Sequence, residues 1–147
     1  MLYFAYGSNL NHDQMKYRCS GAKYIKKHIL KGYKLCFSHK TDRSIYGHAN
    51  IVKNKKSEVQ GAFWNITKKD EHKLDGYEGV DYNYYQKEYF SFKGKKVLVY
   101  VQNKYYFQKP NSTYLHIIIE GYKDCFLDIE KLKRTISNYK INYKINW

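Results

Sequence analysis

Apolar residues occur along this chain in short runs that glycine, asparagine and lysine interrupt. The first run, Leu2–Tyr6, stops at Gly7-Ser8-Asn9, and the mostly polar residues that follow, to about Arg18, are typical of a helix. The pattern therefore predicts a short strand that passes through a glycine turn into the beginning of a helix.

β-branched and aromatic residues are concentrated in the stretches 22–38 and 58–66. The first stretch is broken at Lys31-Gly32, which predicts a hairpin or a bent pair of strands. The second stretch predicts one strand, with Gly61 at a bend or at a close approach of two backbones. The polar residues 41–50 between the two stretches predict a loop.

Helix start signals recur in the second half of the chain. Thr67 and Asp70 have the spacing of a capping box, with Asp in place of Glu, which predicts a short helix toward Leu74. Pro110-Asn111-Ser112 predicts the start of another helix, and Asp128 is predicted to cap the last one. The apolar face of the helix after Ser112 is predicted to consist of Leu115, Ile118, Ile119 and Tyr122.

The remaining segments predict strands. Residues 84–92 and 95–103 indicate a hairpin joined around Lys93-Gly94, and the alternation over 141–147 predicts an edge strand. Short strands with helices between and after them favour an α+β fold built on a small barrel or curled sheet. The length of 147 residues and the lack of a linker-like stretch predict a single domain over residues 1–147.

The strongly basic composition raises the question of nucleic acid, because the formal net charge is +14. Only three of the 27 basic residues are arginine, and the lysines are scattered without a long block. Arginine is the usual residue for bidentate contacts to phosphates and bases. A nucleic-acid-binding protein therefore stays the least favoured alternative.

Other classes of protein are disfavoured as well. No apolar run approaches the length of a membrane span, and the N-terminus lacks the basic region of a signal peptide. Cys19, Cys36 and Cys125 are odd in number and widely separated, as expected of reduced thiols in a cytoplasmic protein. The six histidines have no metal-ligand spacing, so no metal site is expected.

Two segments carry candidate chemistry. The turn at Gly7-Ser8 presents backbone N–H groups that can bind a carboxylate, a phosphate or a developing oxyanion. The alternative is an ordinary junction in which Ser8 or Asn9 only caps the helix. Glu78 lies among apolar residues and glycines, where partial desolvation would raise its pKa toward the range of a general base. The alternative is an unperturbed glutamate in a solvent-facing loop.

Taken together, these segments resemble the γ-glutamylcyclotransferase family. The residues that carry the resemblance are Tyr-Phe-Ala-Tyr-Gly-Ser-Asn-Leu at 3–10 and Leu-Asp-x-x-Glu-Gly-Val at 74–80. The strand of Val-x-Gly-x-x-Trp type at 59–64, Tyr85, and the Pro-Asn-Ser-Thr-Tyr segment at 110–114 are similar to the family pattern too. The similarity extends over about residues 2–136.

The resemblance implies a small mixed β-barrel flanked by helices, with a cavity at one end. The implied reaction converts a γ-glutamyl amino acid, or a related γ-glutamyl amide, into 5-oxoproline and a free amine, without a cofactor. Glu78 is implied to be the proton acceptor. The residues implied to bind the small-molecule γ-glutamyl substrate are Tyr3, Phe4, Ala5, Tyr6, Gly7, Ser8, Asn9, Tyr85 and Tyr114.

Three questions stay open from the sequence. The preferred leaving amine is not defined by these residues, and a homodimer is compatible with the resemblance but has no interface residue that can be named. A non-catalytic module that binds γ-glutamyl groups or other anions is the main alternative to an enzyme.

Overall fold

The computed structural model describes residues 1–147 as a sheet with helices packed against it. Its six strands are β1 (Leu2–Ala5), β2 (Lys23–His39), β3 (His48–Asn65), β4 (Gln86–Phe92), β5 (Lys95–Val101) and β6 (Tyr106–Phe107). Its four α-helices are α1 (His12–Arg18), α2 (Lys68–Tyr77), α3 (Ser112–Asp124) and α4 (Ile129–Ile136). Short 3₁₀ turns lie at Ser8–Leu10 and Val80–Tyr82.

The strands form one mixed sheet in the order β4-β5-β1-β3-β2-β6. The short strand β1 lies in the interior of the sheet, parallel to β5 and antiparallel to β3, while the other pairs are antiparallel. The sheet curls into a half-barrel whose edges are β4 and β6. This architecture confirms the predicted α+β class with a small barrel-like sheet.

The hairpin or bent pair of strands predicted within residues 22–38 is wrong, because this stretch is the single long strand β2. Gly32 has a φ of +87° and lies at a register shift between Lys31 and Tyr33, so it forms a bulge instead of a turn. The chain bends there but stays paired with β3. Glycine signals an unusual backbone conformation, but only the length of the partner strand decides whether that conformation is a turn or a bulge.

The later boundaries agree with the sequence pattern. The hairpin of β4 and β5 turns at Lys93 and Gly94, which have φ values of +49° and +77°, as a tight hairpin turn requires. The capping box of Thr67 and Asp70 is complete, with both of its hydrogen bonds present. Asn111 caps the helix α3. Leu115, Ile118, Ile119 and Tyr122 are all buried, as predicted for the apolar face of α3.

The edge strand predicted over 141–147 is wrong, because this segment joins no sheet. Its alternating apolar side chains are instead partly buried against the core. Tyr139, just before it, binds the backbone of Phe37 through its hydroxyl group. None of the helices has both the length and the apolar character that crossing a bilayer requires.

Candidate active site

The first strand ends beside a turn that leaves backbone amides unpaired. β1 ends at Ala5, and the helix α1 is capped by Asn11, whose side chain accepts a hydrogen bond from the amide of Gln14 at 3.0 Å. Ser8 and Asn9 are therefore not the cap of this helix. The amides of Gly7 and Ser8 donate no hydrogen bond within the protein, so both N–H groups are available to a ligand.

Gly7 lies close to the strand β3. A Cβ atom at this position would come within 2.9 Å of the Cβ of Ala49 and 3.5 Å of the hydroxyl oxygen of Tyr114. The first of these distances is shorter than a carbon–carbon contact allows. A residue with a side chain here would separate the turn from β3 or fill the space between them.

Glu78 reaches the same turn from a distant part of the sequence. It follows the last residue of α2, and Gly79, with a φ of +64°, reverses the chain directly after it. The amide of Glu78 donates to the carbonyl of Leu74 at 2.8 Å, which keeps its backbone fixed to the helix. Its carboxylate Oε1 accepts a hydrogen bond of 3.2 Å from the Nδ2 of Asn9.

These groups surround one small cavity with a volume of about 30 Å³. The cavity offers space for a group about the size of one water molecule. The residues that line it are Tyr3, Tyr6, Gly7, Ser8, Asn9, Ala49, Glu78, Tyr85, Tyr100 and Tyr114. The cavity therefore combines one carboxylate, unpaired amides and several phenol groups.

The carboxylate of Glu78 is the one acidic group of this cavity. Burial raises its pKa from the ordinary value of 4.5 to about 7, although the charge of Arg18 and the hydrogen bond from Asn9 act in the opposite direction. The residue as a whole is partly exposed, but the carboxylate faces the cavity. A group with a pKa near neutrality can both accept and return a proton.

The phenol groups of the cavity hold the surrounding backbone in place. Tyr114 accepts a hydrogen bond from the amide of Ala49 at 2.9 Å, and the hydroxyl of Tyr85 donates to the carbonyl of the same residue. Tyr6 donates to the carbonyl of Tyr100 at 2.6 Å. Burial raises the pKa values of Tyr6, Tyr85 and Tyr114, so these groups stay neutral and can donate hydrogen bonds at neutral pH.

Most residues predicted from the sequence meet at this cavity, but Phe4 and Ala5 do not line it. Side chains alternate along a strand, so Phe4 faces away from the side of Tyr3. It packs against Phe63, His28 and Phe90 inside the curl of the sheet.

Ala5 is buried against β3, where it pairs with Ala62. The side chains of these two positions therefore belong to the core beneath the cavity, and a contact of either residue with the substrate stays a prediction.

Two cavity residues, Ala49 and Tyr100, were not predicted. Tyr100 belongs to the apolar run 97–101, which resembles any buried strand, and only the parallel pairing of β5 with β1 brings it to the cavity. Ala49 has no reactive side chain, and it takes part in the site because its amide and carbonyl form hydrogen bonds with Tyr114 and Tyr85.

Elsewhere in the structure, a larger cavity of about 810 Å³ lies beside β2 and the segment after α4. It is lined by lysines, apolar residues and neutral polar residues, and no carboxylate is among them. It therefore lacks the acid–base group of the smaller cavity. No cluster of three or more His, Cys, Asp and Glu side chains has the arrangement of a metal site.

The fold and this site define a class: half-barrel proteins in which a carboxylate of raised pKa and a turn with unpaired amides line one cavity at the end of an interior strand. The chain belongs to the family described as "Gamma-glutamyl cyclotransferase, AIG2-like", whose model matches residues 3–122. The resemblance found in the sequence is thereby confirmed.

Relatives with assigned names agree with this membership. The chain is 31% identical over 138 residues to human "Gamma-glutamylcyclotransferase", a match that covers 88% of this chain and 73% of the relative. It is 30% identical to the bovine protein of the same name, over 97% of this chain and 81% of the relative. A solved structure named "Gamma-glutamyl cyclotransferase" superimposes with a TM-score of 0.78 at 27% identity, covering 99% of this chain and 92% of that structure.

Proposed function

We propose that this chain is a γ-glutamylcyclotransferase that converts γ-glutamyl amino acids into 5-oxoproline and a free amine, with Glu78 as general base and acid. Family membership and the named relatives support the reaction class. The observation that carries the assignment of residues is the meeting of Glu78 with Asn9, next to the unpaired amides of Gly7 and Ser8.

The reaction needs no nucleophile from the protein, because the α-amine of the substrate attacks its own γ-carbonyl carbon. Holding the two reacting groups in contact contributes about 7–11 kcal/mol to such intramolecular reactions. The amine is protonated at neutral pH and must lose a proton before it attacks. Glu78, whose pKa is about 7, accepts that proton and returns it to the departing amine, and the second proton that the attacking nitrogen loses on ring closure goes to solvent.

The negative charge that develops on the carbonyl oxygen needs hydrogen-bond donors. The amides of Gly7 and Ser8 are free to supply them, or to hold the α-carboxylate of the substrate. One donor to an oxyanion contributes about 3–4 kcal/mol to transition-state stabilisation. The hydroxyl of Tyr3 already accepts a hydrogen bond from Asn9 at 2.9 Å, so its own proton is available to a ligand as well.

Substrate binding requires the cavity to widen, because its volume of about 30 Å³ is smaller than a γ-glutamyl group. Tyr114 is a residue of α3 that lines the cavity, is partly exposed and is fixed by one hydrogen bond from Ala49. We propose that this side chain moves to admit the substrate and then closes onto it. Tyr85 is more deeply buried and keeps the position of Ala49 during that movement.

The test is turnover of γ-glutamyl-alanine, followed by the appearance of 5-oxoproline. We expect the wild-type protein to be active, with kcat/KM rising through a pH of about 7 as Glu78 ionises. Glu78→Gln should lose at least a hundredfold in kcat, since a general base typically contributes about 10²–10⁴-fold. Glu120→Gln is the matched control, because its side chain is 59% exposed and far along α3 from Tyr114.

An inactive wild-type protein that still binds 5-oxoproline or a γ-glutamyl compound would indicate the non-catalytic module instead. A set of donors with the same γ-glutamyl group and different amines defines the leaving group: amino acids, simple amines and glutathione. Location in the cytoplasm, a homodimer and the lack of affinity for nucleic acid stay predictions.

A further inference from the structure

The amide group of Asn9 is held on both of its sides. Its oxygen Oδ1 accepts hydrogen bonds from Nε2 of Gln14 at 3.0 Å and from Nη1 of Arg18 at 3.1 Å. Its nitrogen Nδ2 donates to the hydroxyl of Tyr3 at 2.9 Å and to Oε1 of Glu78 at 3.2 Å. The residue is 3% exposed, so water has little access to either side of the amide.

The partners of this amide decide which way it points. The guanidinium of Arg18 has only donors, so it must face the oxygen of the amide. An ionised Glu78 has only acceptors, so it must face the nitrogen. Rotation of the amide by half a turn would place the NH₂ group of Asn9 against the N–H donors of Arg18. It would also place the oxygen of Asn9 against the carboxylate of Glu78.

We propose that Gln14 and Arg18 are positioning residues that fix the amide of Asn9, so that its N–H group, and not its carbonyl oxygen, faces Glu78. This proposal rests on the proposed function of Glu78 and adds two residues of α1 that lie outside the motif at 3–10. The spacing of four residues places both side chains on one face of that helix.

Both positioning residues are themselves fixed. The Nε2 atom of Gln14 also donates to Oγ of Ser8 at 2.8 Å, which ties it to the turn with the unpaired amides. The guanidinium of Arg18 lies 4.4 Å from the centre of the Tyr77 ring, and Tyr77 directly precedes Glu78. The two side chains thus connect α1 to both parts of the site.

Arg18 is also the cation that acts on the carboxylate of Glu78. The other titratable groups whose pKa values respond to Glu78 are phenols and one thiol, all with raised pKa values and therefore neutral near pH 7. These groups are Tyr3, Tyr6, Cys19, Tyr84, Tyr85, Tyr100 and Tyr114. Removal of the charge of Arg18 leaves this carboxylate without a nearby cation.

The first experiment changes Arg18 and measures the protonation of Glu78 directly. The ¹³C signal of the Glu78 carboxyl is titrated in the free protein, and the pH dependence of kcat/KM is measured in parallel. We expect Arg18→Gln to move both midpoints upward by about one pH unit. Arg18→Lys keeps the charge, so its midpoints should stay close to those of the wild type while kcat falls. Arg134→Gln, on the exposed side of α4, makes the same change elsewhere and should move neither midpoint.

The second experiment changes the hydrogen bonds of the Asn9 amide, in one variant at its partner and in another at the amide itself. Gln14→Leu leaves the oxygen of Asn9 with one donor, and we expect kcat to fall about ten- to a hundredfold. Asn9→Asp places an oxygen against Glu78, as the rotated amide would, and adds a negative charge beside it, so it should move the carboxyl titration further upward than Arg18→Gln does. Circular dichroism and thermal unfolding establish that each variant is folded under the assay conditions.

A folded Arg18→Gln protein with the wild-type titration of Glu78 would overturn the role of Arg18, and wild-type kcat in Gln14→Leu would overturn that of Gln14. The carboxyl titration needs no turnover. It therefore tests the effects of Arg18 and Asn9 on Glu78 even if Glu78→Gln turns out to be active and the proposed function fails.

Discussion

Glu78 ionises in a cavity whose other lining groups carry no charge, and its burial raises its pKa to about 7. The same burial that suits proton transfer makes the ionised group unfavourable for folding, because a desolvated charge costs free energy. One hydrogen bond from Asn9 and the charge of Arg18 offset part of that cost. Glu78 should therefore decrease the stability of the protein at the pH values where its carboxylate is ionised and can act as a base.

Glu78→Gln should raise the free energy of unfolding above neutral pH. The folded-state pKa, about 7, lies above the ordinary value of 4.5, so between these pH values the folded protein binds more protons than the unfolded chain. The contribution of Glu78 to the free energy of unfolding of the wild-type protein consequently falls as pH rises through this interval. Glutamine has a similar shape and no charge, and we expect a gain of about 1–3 kcal/mol at about pH 8.

Urea unfolding at two pH values measures this effect. The gain should shrink to nearly zero at about pH 4, where the carboxyl is mostly protonated in both states. Glu120→Gln, at an exposed ion pair with Lys123, should show no comparable dependence on pH. A Glu78→Gln protein that is less stable than the wild type at alkaline pH would contradict the raised pKa.

At the scale of elements, the helix α2 and the turn after it place Glu78 in the cavity. The capping box of Thr67 and Asp70 fixes where this helix begins, and Glu78 follows its last residue. The C-terminal end of a helix disfavours a negative charge because its free carbonyl groups point there. A carboxylate at this end has no structural advantage, which agrees with a role in catalysis.

Gly79→Ala should impair activity more than its loss of stability explains. The φ of +64° is unfavourable for alanine by about 1–2 kcal/mol, and the new Cβ would lie 3.1 Å from the Cβ of Tyr84. Relief of this contact displaces the turn that holds Glu78. Gly94→Ala is the matched control, because its φ of +77° carries the same strain and its Cβ would meet no atom within 4 Å.

We expect similar losses of stability in the two variants and a loss of kcat in Gly79→Ala alone. Thermal unfolding and turnover of γ-glutamyl-alanine measure the two quantities separately. Equal kcat values in the two proteins would show that the turn does not control the position of the carboxylate.

The sequence predicted those parts of the site and fold that depend on local residues. Gly7, Ser8 and Glu78 were singled out as candidates because a glycine turn after a strand and a carboxylate after a helix are local patterns, and the family resemblance then favoured them over an ordinary turn and an ordinary glutamate. Tyr100 could not be found, since its place at the cavity follows from the pairing of β5 with β1, strands separated by most of the chain. Arg18 had no local signal that distinguished it from the many lysines. Its hydrogen bond to Asn9 is visible only in the folded structure.

The same distinction applies to the strands. Gly32 in β2 and Gly94 after β4 both have positive φ values, yet the first makes a bulge and the second a hairpin turn. Their local sequences are nearly the same, Lys31-Gly32 and Lys93-Gly94. The length and register of the neighbouring strand, which are properties of the whole sheet, decide between the two outcomes.

At the scale of the whole molecule, the family match ends at residue 122, whereas the structure continues through α4 and the segment after it. That segment reaches the site indirectly. The hydroxyl of Tyr139 accepts a hydrogen bond from the amide of Phe37 at 2.7 Å and donates one to its carbonyl at 3.0 Å. Phe37 pairs with Ala49, the residue whose backbone binds Tyr85 and Tyr114 in the cavity.

Tyr139→Phe should therefore lower the free energy of unfolding while leaving the chemistry intact. The change keeps the ring packed against Phe37 but leaves the amide of that residue without an acceptor, a loss of about 1–3 kcal/mol, while its carbonyl still accepts a hydrogen bond from the amide of Gln108 at 3.0 Å. Tyr17→Phe is the control, because Tyr17 is 83% exposed and should contribute no measurable stability.

Urea unfolding measures the stability of both variants, and kcat at a temperature well below unfolding measures the site. We expect kcat to be unchanged in Tyr139→Phe, because Tyr85 and Tyr114 still hold Ala49 from the side of the cavity. A fall in kcat without a fall in stability would mean that the C-terminal segment adjusts the cavity itself. The hydroxyl of Tyr139 would then influence the shape of the binding site through β2 and β3, in addition to stabilising the folded protein.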